Sequence, residues 1–289
     1  MKYTKTTLGS QKVNSSKTDR SKGAFRILTL VAMTLFGAQF QTLNAQADPD
    51  TPPPLITDRP DATEASSTVP KGTLQVETGG FYESFEENGA ELQRSVYNTA
   101  LLRYGLLENL ELRLGWNIEE QRVKTNGTTI GNPLKGLSPL LFGMKVFIAE
   151  EREGGFPEIA LIGHLFLPFT ASSDFKPDTT GADFRFSLSH TLSEKSSIGY
   201  NVGAQWGDDN PEIAYIYTLA YGYSFTDRFG GFVEVYGDLP ENSSANHLWD
   251  AGLTYMLRPN VQLDFSGGTS FTAGQDILLS AGVSFRIPR

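Results

Sequence analysis

The chain has 289 residues, 24 Lys and Arg against 33 Asp and Glu for a net charge of −9, and no cysteine. This excludes disulfides, thiolate catalysis and a lipid attached through cysteine, and the acidic balance argues against nucleic acid as a partner. Hydrophobic residues at 39% are few for a dry core of this size and 29 glycines are many, a balance that suits one barrel with a wet interior.

Residues 1–47 begin with Lys2, Lys5, Lys12, Lys17, Arg20, Lys22 and Arg26, continue with an apolar run over 27–40, and end in Ala45-Gln46-Ala47. A basic region, a short apolar core and an A-x-A site predict a cleaved signal peptide. The apolar run is too short for a spanning helix, which needs roughly 20 residues. Without residues 1–47 the chain keeps 17 basic against 32 acidic residues. Residues 48–71 lack periodicity and are rich in Pro, Asp, Ser and Thr, which predicts a Pro-rich periplasmic N-terminal segment, a solvated tether. The other reading of this segment docks residues 57–64 at a barrel mouth, because prolines limit the entropy lost on ordering.

From Gly72 onward twelve runs alternate in polarity, the period of a strand. The first covers 72–82. The second and third form a hairpin over 101–116, LLRYGLLENLELRLGW, in which Leu102, Tyr104, Leu110, Leu112, Leu114 and Trp116 share one parity and Arg103, Glu111 and Arg113 the other. The fourth to sixth cover 139–148, 156–167 and 182–192. The seventh and eighth cover 198–206 and 214–225, the latter the clearest alternation in the chain. The ninth to twelfth cover 229–237, 249–255, 261–266 and 277–286. An even strand number is what a transmembrane, antiparallel, up-and-down β-barrel of about 12 strands requires. Odd-numbered connections are mostly long (117–138 the longest) and even ones short, which predicts short periplasmic turns and long extracellular loops. A sandwich has no reason to alternate loop lengths in this way.

On the apolar parity, Trp116, Trp206 and Trp249 sit beside long connections, while Tyr104, Tyr223, Tyr255 and Phe285 sit near the opposite strand ends. Amphipathic rings favour the lipid headgroup level, so these residues predict an outer and an inner aromatic girdle. On the polar parity lie Glu77, Arg103, Glu111, Arg113, Lys145, Glu158, Asp183, Arg185, Glu234, Asp250, Asp264 and Arg286, which predict a charged network in the lumen that pairs across strands. A pair between Arg103 and Glu111 on one hairpin is expected. Gly199, Asn201, Gly203, Ala214, Thr218, Ala220, Gly222, Ser280 and Gly282 predict a small-residue wall, with a passage along the seventh and eighth runs. The 117–138 connection either folds inward as a constriction or decorates the surface.

The stretches ITDRPDATEAS, VPKGTLQVETGGFY, LLRYGLLENLELRLGW and FVEVYG resemble the outer-membrane transporter family of the MetA phenol-degradation pathway, over residues 57–286. The resemblance implies a porin-like barrel for small molecules, small aromatic or hydrophobic compounds among them, and names no solute.

His164, His190 and His247 are separated, and none has a serine beside it at an outer rim, so no catalytic residue is assigned. No metal site or cofactor is assigned either. The reading is an outer-membrane channel of a Gram-negative-type bacterium, with the lipid bilayer and a small-molecule solute as partners and the oligomeric state open. The alternative is a closed structural or adhesive barrel that binds partners through its loops. A membrane hydrolase using His190 is the third.

Overall fold

A computed structural model describes residues 54–287 apart from 88, 208–211 and 273. The expected signal peptide and residues 48–53 lie outside the described residues. Thirteen strands follow in chain order: β1 (Leu74–Glu87), β2 (Ala90–Leu107), β3 (Leu110–Thr125), β4 (Thr128–Leu137), β5 (Leu140–Ala149), β6 (Glu158–Leu167), β7 (Gly181–Ser193), β8 (Ser196–Trp206), β9 (Ile213–Ser224), β10 (Phe229–Pro240), β11 (Asn246–Arg258), β12 (Val261–Ser270) and β13 (Gln275–Ile287). All pairings between these strands are antiparallel. Strand β3 pairs directly with β5, setting Leu112 opposite Met144, and β1 closes on β13, setting Val76 opposite Phe285. Twelve staves therefore form a closed barrel, and β4 hangs on β3 outside the ring.

Period-two alternation decides which solvent each side of the wall meets. On β9, Tyr215, Leu219, Tyr221 and Tyr223 point outward and are 40–54% exposed, whereas Thr218 and Ala220 point inward at 7% and 6%. Outward Phe142, Met144, Leu165, Phe184, Phe186, Val233, Leu253 and Phe265 continue the belt on other staves. In water such a belt far exceeds the apolar patch a monomer tolerates. In lipid it is the matching surface, and closure leaves no unpaired backbone edge. The interior is polar, with Gln75, Glu77, Arg103, Glu111, Lys145 and Asn201 among its buried side chains.

The turns β2–β3, β7–β8 and β11–β12 each leave two residues between strands, and they mark one end of the barrel, termed the inner end. Tyr104, Tyr223 and Tyr255 lie outward near this end, and Phe285 pairs there with Val261. Trp206, the last residue of β8, and Trp249, opposite Val235 and Thr269, lie outward near the other end. Trp116, opposite Ala100, is level with the start of β5 but lies mid-strand on β3, which runs on to Thr125, so its expected place at a strand end is corrected.

Two expectations about the outer connections are corrected. The first outer connection is nearly all strand, because β1 runs on to Glu87 and β2 begins at Ala90. The 117–138 connection is the rest of β3 plus β4, which fold back on each other through Asn126 and Gly127, both at positive φ. Polar and β-branched residues in this stretch hid a ribbon that needs no buried face. Lys135 and Arg122 pair with Glu120 on it. The hydrogen bonds from Lys135 and then Arg122 hold the Glu120 carboxyl down at about 2.

Candidate functional site

Residues 54–71 cannot form a strand, since prolines and mixed polarity deny them both ladder and apolar face, so their backbone groups must find other partners. They find them inside the barrel. At the inner end Arg286 Nη2 donates to the Pro54 carbonyl (3.0 Å) and Gln75 Nε2 to that of Ile56 (2.7 Å). The chain rises, closes a turn with Ala65 N–H donating to Asp58 Oδ1 (2.9 Å), and descends to Val69, whose N–H donates to Glu111 Oε2 (2.8 Å). It leaves across Gly105, where Gly72 N–H donates to the Gly105 carbonyl at 2.7 Å. A Cβ at Gly105 would lie 2.5 Å from the Val69 carbonyl oxygen, so only glycine lets the segment cross there. For residues 54–71 the expected solvated tether is thus corrected: the segment lies in the lumen.

Its charges complete those of the wall. Arg103 stands opposite Arg113 in the β2–β3 register, a repulsive arrangement by itself. Glu111 bonds Arg103 at 2.9 Å, the pair expected from their place on one hairpin, and also Arg113 at 3.0 Å. Glu77 adds a further 2.9 Å pair to Arg103. Two more anions come from the segment. Asp58 lies 2.7 Å from Arg113 Nη1, 3.1 Å from Arg103 Nη1 and 3.0 Å from Lys145 Nζ, all four side chains at most 3% exposed. Glu64 takes Arg113 Nη2 at 2.6 Å and faces Arg185 at 3.7 Å. Arg185 also pairs with Asp183, which bonds His164 Nδ1 at 2.8 Å. Breaking a buried cluster by removing one partner typically costs about 3–5 kcal/mol, so these contacts hold the segment firmly.

The opposite wall carries acids. Ala62 N–H donates to Glu234 Oε2 (2.7 Å), and the Thr63 hydroxyl donates to Glu234 Oε1 and meets the Thr218 hydroxyl at 2.7 Å. Asp250 stands directly across from Glu234 in the β10–β11 register. Asp264 holds Arg59 at 2.9 Å. Glu158 meets no base in this cluster and instead accepts from Ser66 Oγ at 2.5 Å. Arg286 bonds Gln75 at the inner end. The expected network therefore divides into a base-rich cluster on β2–β7 and an acidic face on β10–β12, joined by the segment.

The small-residue wall is also reassigned. Asn201 accepts from Glu64 N–H and donates to the Glu64 carbonyl, and Thr218 meets Thr63, so β8 and β9 dock the segment at mid-depth where an open passage was expected. Ser280 and Gly282 border Arg59. Gly222 lines an inner cavity of about 470 Å³, and Ser280 also borders an outer one. This outer cavity, of about 700 Å³, lies above, and Arg59, Pro60 and Asp61 line both. Inward Phe81, Phe85, Leu101, Tyr236, Leu248 and Leu278 give the outer cavity an apolar patch beside its acids. Ending the first run at Tyr82 concealed Phe85, and the parity that places it inward is the signal that could have found it. The docked reading of residues 57–64 placed Asp58, Arg59 and Glu64 at the mouth and named no wall partner for them; acids without bases on β10–β12, set against a segment of both signs, were the available clue.

Among solved structures, the chain is similar to an outer membrane channel from Pseudomonas putida F1, with TM-score 0.59, 13% identity, and coverage of 77% of this chain and 98% of that one. It is also similar to the CymD monoaromatic hydrocarbon channel (TM-score 0.45, 10% identity, 76% and 90% covered) and the NanC porin (0.48, 11%, 74% and 100%). At 13% identity the likeness to the Pseudomonas putida F1 channel supports the fold alone. A search of curated proteins by sequence finds no match. The profile that does match spans nearly all of the described chain, residues 57–287, and the chain therefore belongs to the family described as Putative MetA-pathway of phenol degradation.

Proposed function

We propose that this chain is exported to the outer membrane of a Gram-negative-type bacterium and forms a channel there for passive passage of small molecules. Residues 54–71 set its constriction. The observation that carries this reading is the pair of cavities, one open to each end of a polar lumen, that share Arg59, Pro60 and Asp61 as their common wall. The outward aromatic bands would lie at the two headgroup levels and fix the barrel in the bilayer. Small aromatic or hydrophobic solutes are the proposed class, supported by the family's phenol-degradation description and by the inward patch of Phe81, Phe85 and Tyr236. Aromatic faces provide apolar area while the neighbouring polar groups satisfy a hydroxyl.

Liposome swelling with a panel of sugars and small phenolic solutes of similar size tests this. Faster entry of the phenolic solutes than of the sugars through the folded barrel is the expected result. A folded barrel that passes neither would leave the closed structural or adhesive barrel.

A further inference from the structure

Arg59 occupies a place that is shaped for its head group. Its Nη2 bonds Asp264 Oδ1 at 2.9 Å and Ser280 Oγ at 3.2 Å, and its Nε faces Asp264 Oδ2 at 3.4 Å. The Asp264 side chain is fully buried behind it and the Arg59 side chain is 13% exposed. The floor is two glycines that face each other across β1 and β13. A Cβ at Gly79 would lie 2.7 Å from Arg59 Nη2, and one at Gly282 would lie 2.6 Å from Cζ. A fork-shaped donor, a carboxylate that meets it with both oxygens, a hydroxyl and a flat floor make a guanidinium pocket. The occupant is tethered to residues that form the wall between the two cavities.

We propose that the Asp264–Ser280–Gly79–Gly282 cradle is a guanidinium-binding site, that Arg59 is its resident ligand and the latch of the constriction, and that solutes bearing a guanidinium or amidinium group compete for it. The latch role rests on the channel reading given above; the binding role does not. A neutral aromatic solute carries no group that competes with Arg59 for Asp264, so displacement of the latch is specific to cationic solutes and adds to the passage proposed above.

Two measurements on detergent-folded full-length barrel test this. In the first, calorimetry follows methylguanidinium binding to Arg59→Ala, where the cradle is empty. Saturable binding at about 1–10 mM is expected, weaker in the parent barrel because Arg59 competes there, absent from Arg59→Ala/Asp264→Ala, and at least roughly tenfold weaker for methylammonium, which lacks the fork. No saturable binding, or binding indifferent to Asp264, overturns the site. In the second, planar-bilayer conductance is recorded: Arg59→Ala should conduct more than the parent, and millimolar methylguanidinium should change its conductance while leaving Arg59→Ala/Asp264→Ala unaffected. Gly282→Ala serves where Arg59→Ala does not fold, since it expels Arg59 without changing any charge, and it should match the raised conductance. A barrel that binds methylguanidinium yet conducts in no variant refutes the channel and the latch while the site stands.

Discussion

The anchoring of residues 54–71 can be tested at Asp58 by the substitution Asp58→Asn. The asparagine keeps an oxygen for the Ala65 N–H but brings an NH₂ into a space already filled by the donors Arg103, Arg113 and Lys145, each within 3.1 Å of the carboxylate. It also removes one of the two anions by which the segment reaches the base-rich wall, leaving Glu64. Loss of one member of a buried ion cluster costs roughly 3–5 kcal/mol. At about 1.4 kcal/mol per tenfold, the equilibrium for the docked segment falls by roughly two to four orders of magnitude. Single-channel recording reads this as dwell time in a higher-conductance state, with a heat-modifiable band on a denaturing gel showing that the barrel itself is closed. The double variant Asp58→Asn/Lys145→Met should recover part of the loss, because the two positions share one interaction. A folded Asp58→Asn barrel with the parent's dwell times would refute the reasoning.

Gly222→Trp projects an indole into the inner cavity, where a Cβ meets nothing closer than Ser197 Oγ at 3.4 Å, so conductance should fall with no loss of folding; an unchanged conductance contradicts the inner route. Glu120 is held at about 2 against an ordinary value of 4.5, so its contribution to the β3–β4 ribbon is complete above pH 4.5 and is lost as the pH falls toward about 2. A spin label on Asn126→Cys, the sole thiol in a cysteine-free chain, should therefore show constant mobility from pH 8 to about 5 and rising mobility below. Mobility that rises above pH 5 would assign the titration to another group. In proteoliposomes, lipids brominated on their acyl chains should quench most of the tryptophan emission, because Trp206 and Trp249 face outward; unquenched emission would place them in a protein interior.

Much of the barrel is written in the chain at the level of single residues. Tyr215 to Tyr223 alternate with Ala214 to Gly222 because a wall between oil and water imposes period two, and that local rule survives without any knowledge of neighbours. The inward parity of Arg103, Glu111, Lys145 and Glu234 followed from the same rule. Partners did not. Arg103 and Glu111 lie on one hairpin, so their pairing was legible, but Asp58 reaches Lys145 and Arg59 reaches Asp264 across the lumen, through a segment that has no period at all. The same property that made residues 54–71 look like a tether, the absence of an apolar face, is what lets them fill a polar lumen. Strand β4 escaped for a related reason: a two-sided polar ribbon carries no periodic signal.

The most direct test of a lumen-filling segment in a conducting barrel is a reversible lock between the two. Thr63 and Thr218 bring their hydroxyls to 2.7 Å, so Thr63→Cys/Thr218→Cys should form a disulfide within one chain on oxidation. Recorded in a planar bilayer, the oxidised barrel should stay in its low-conductance state, and reductant should restore excursions to the higher state. Failure of the disulfide to form, or a conductance identical in the oxidised and reduced barrels, would contradict the account.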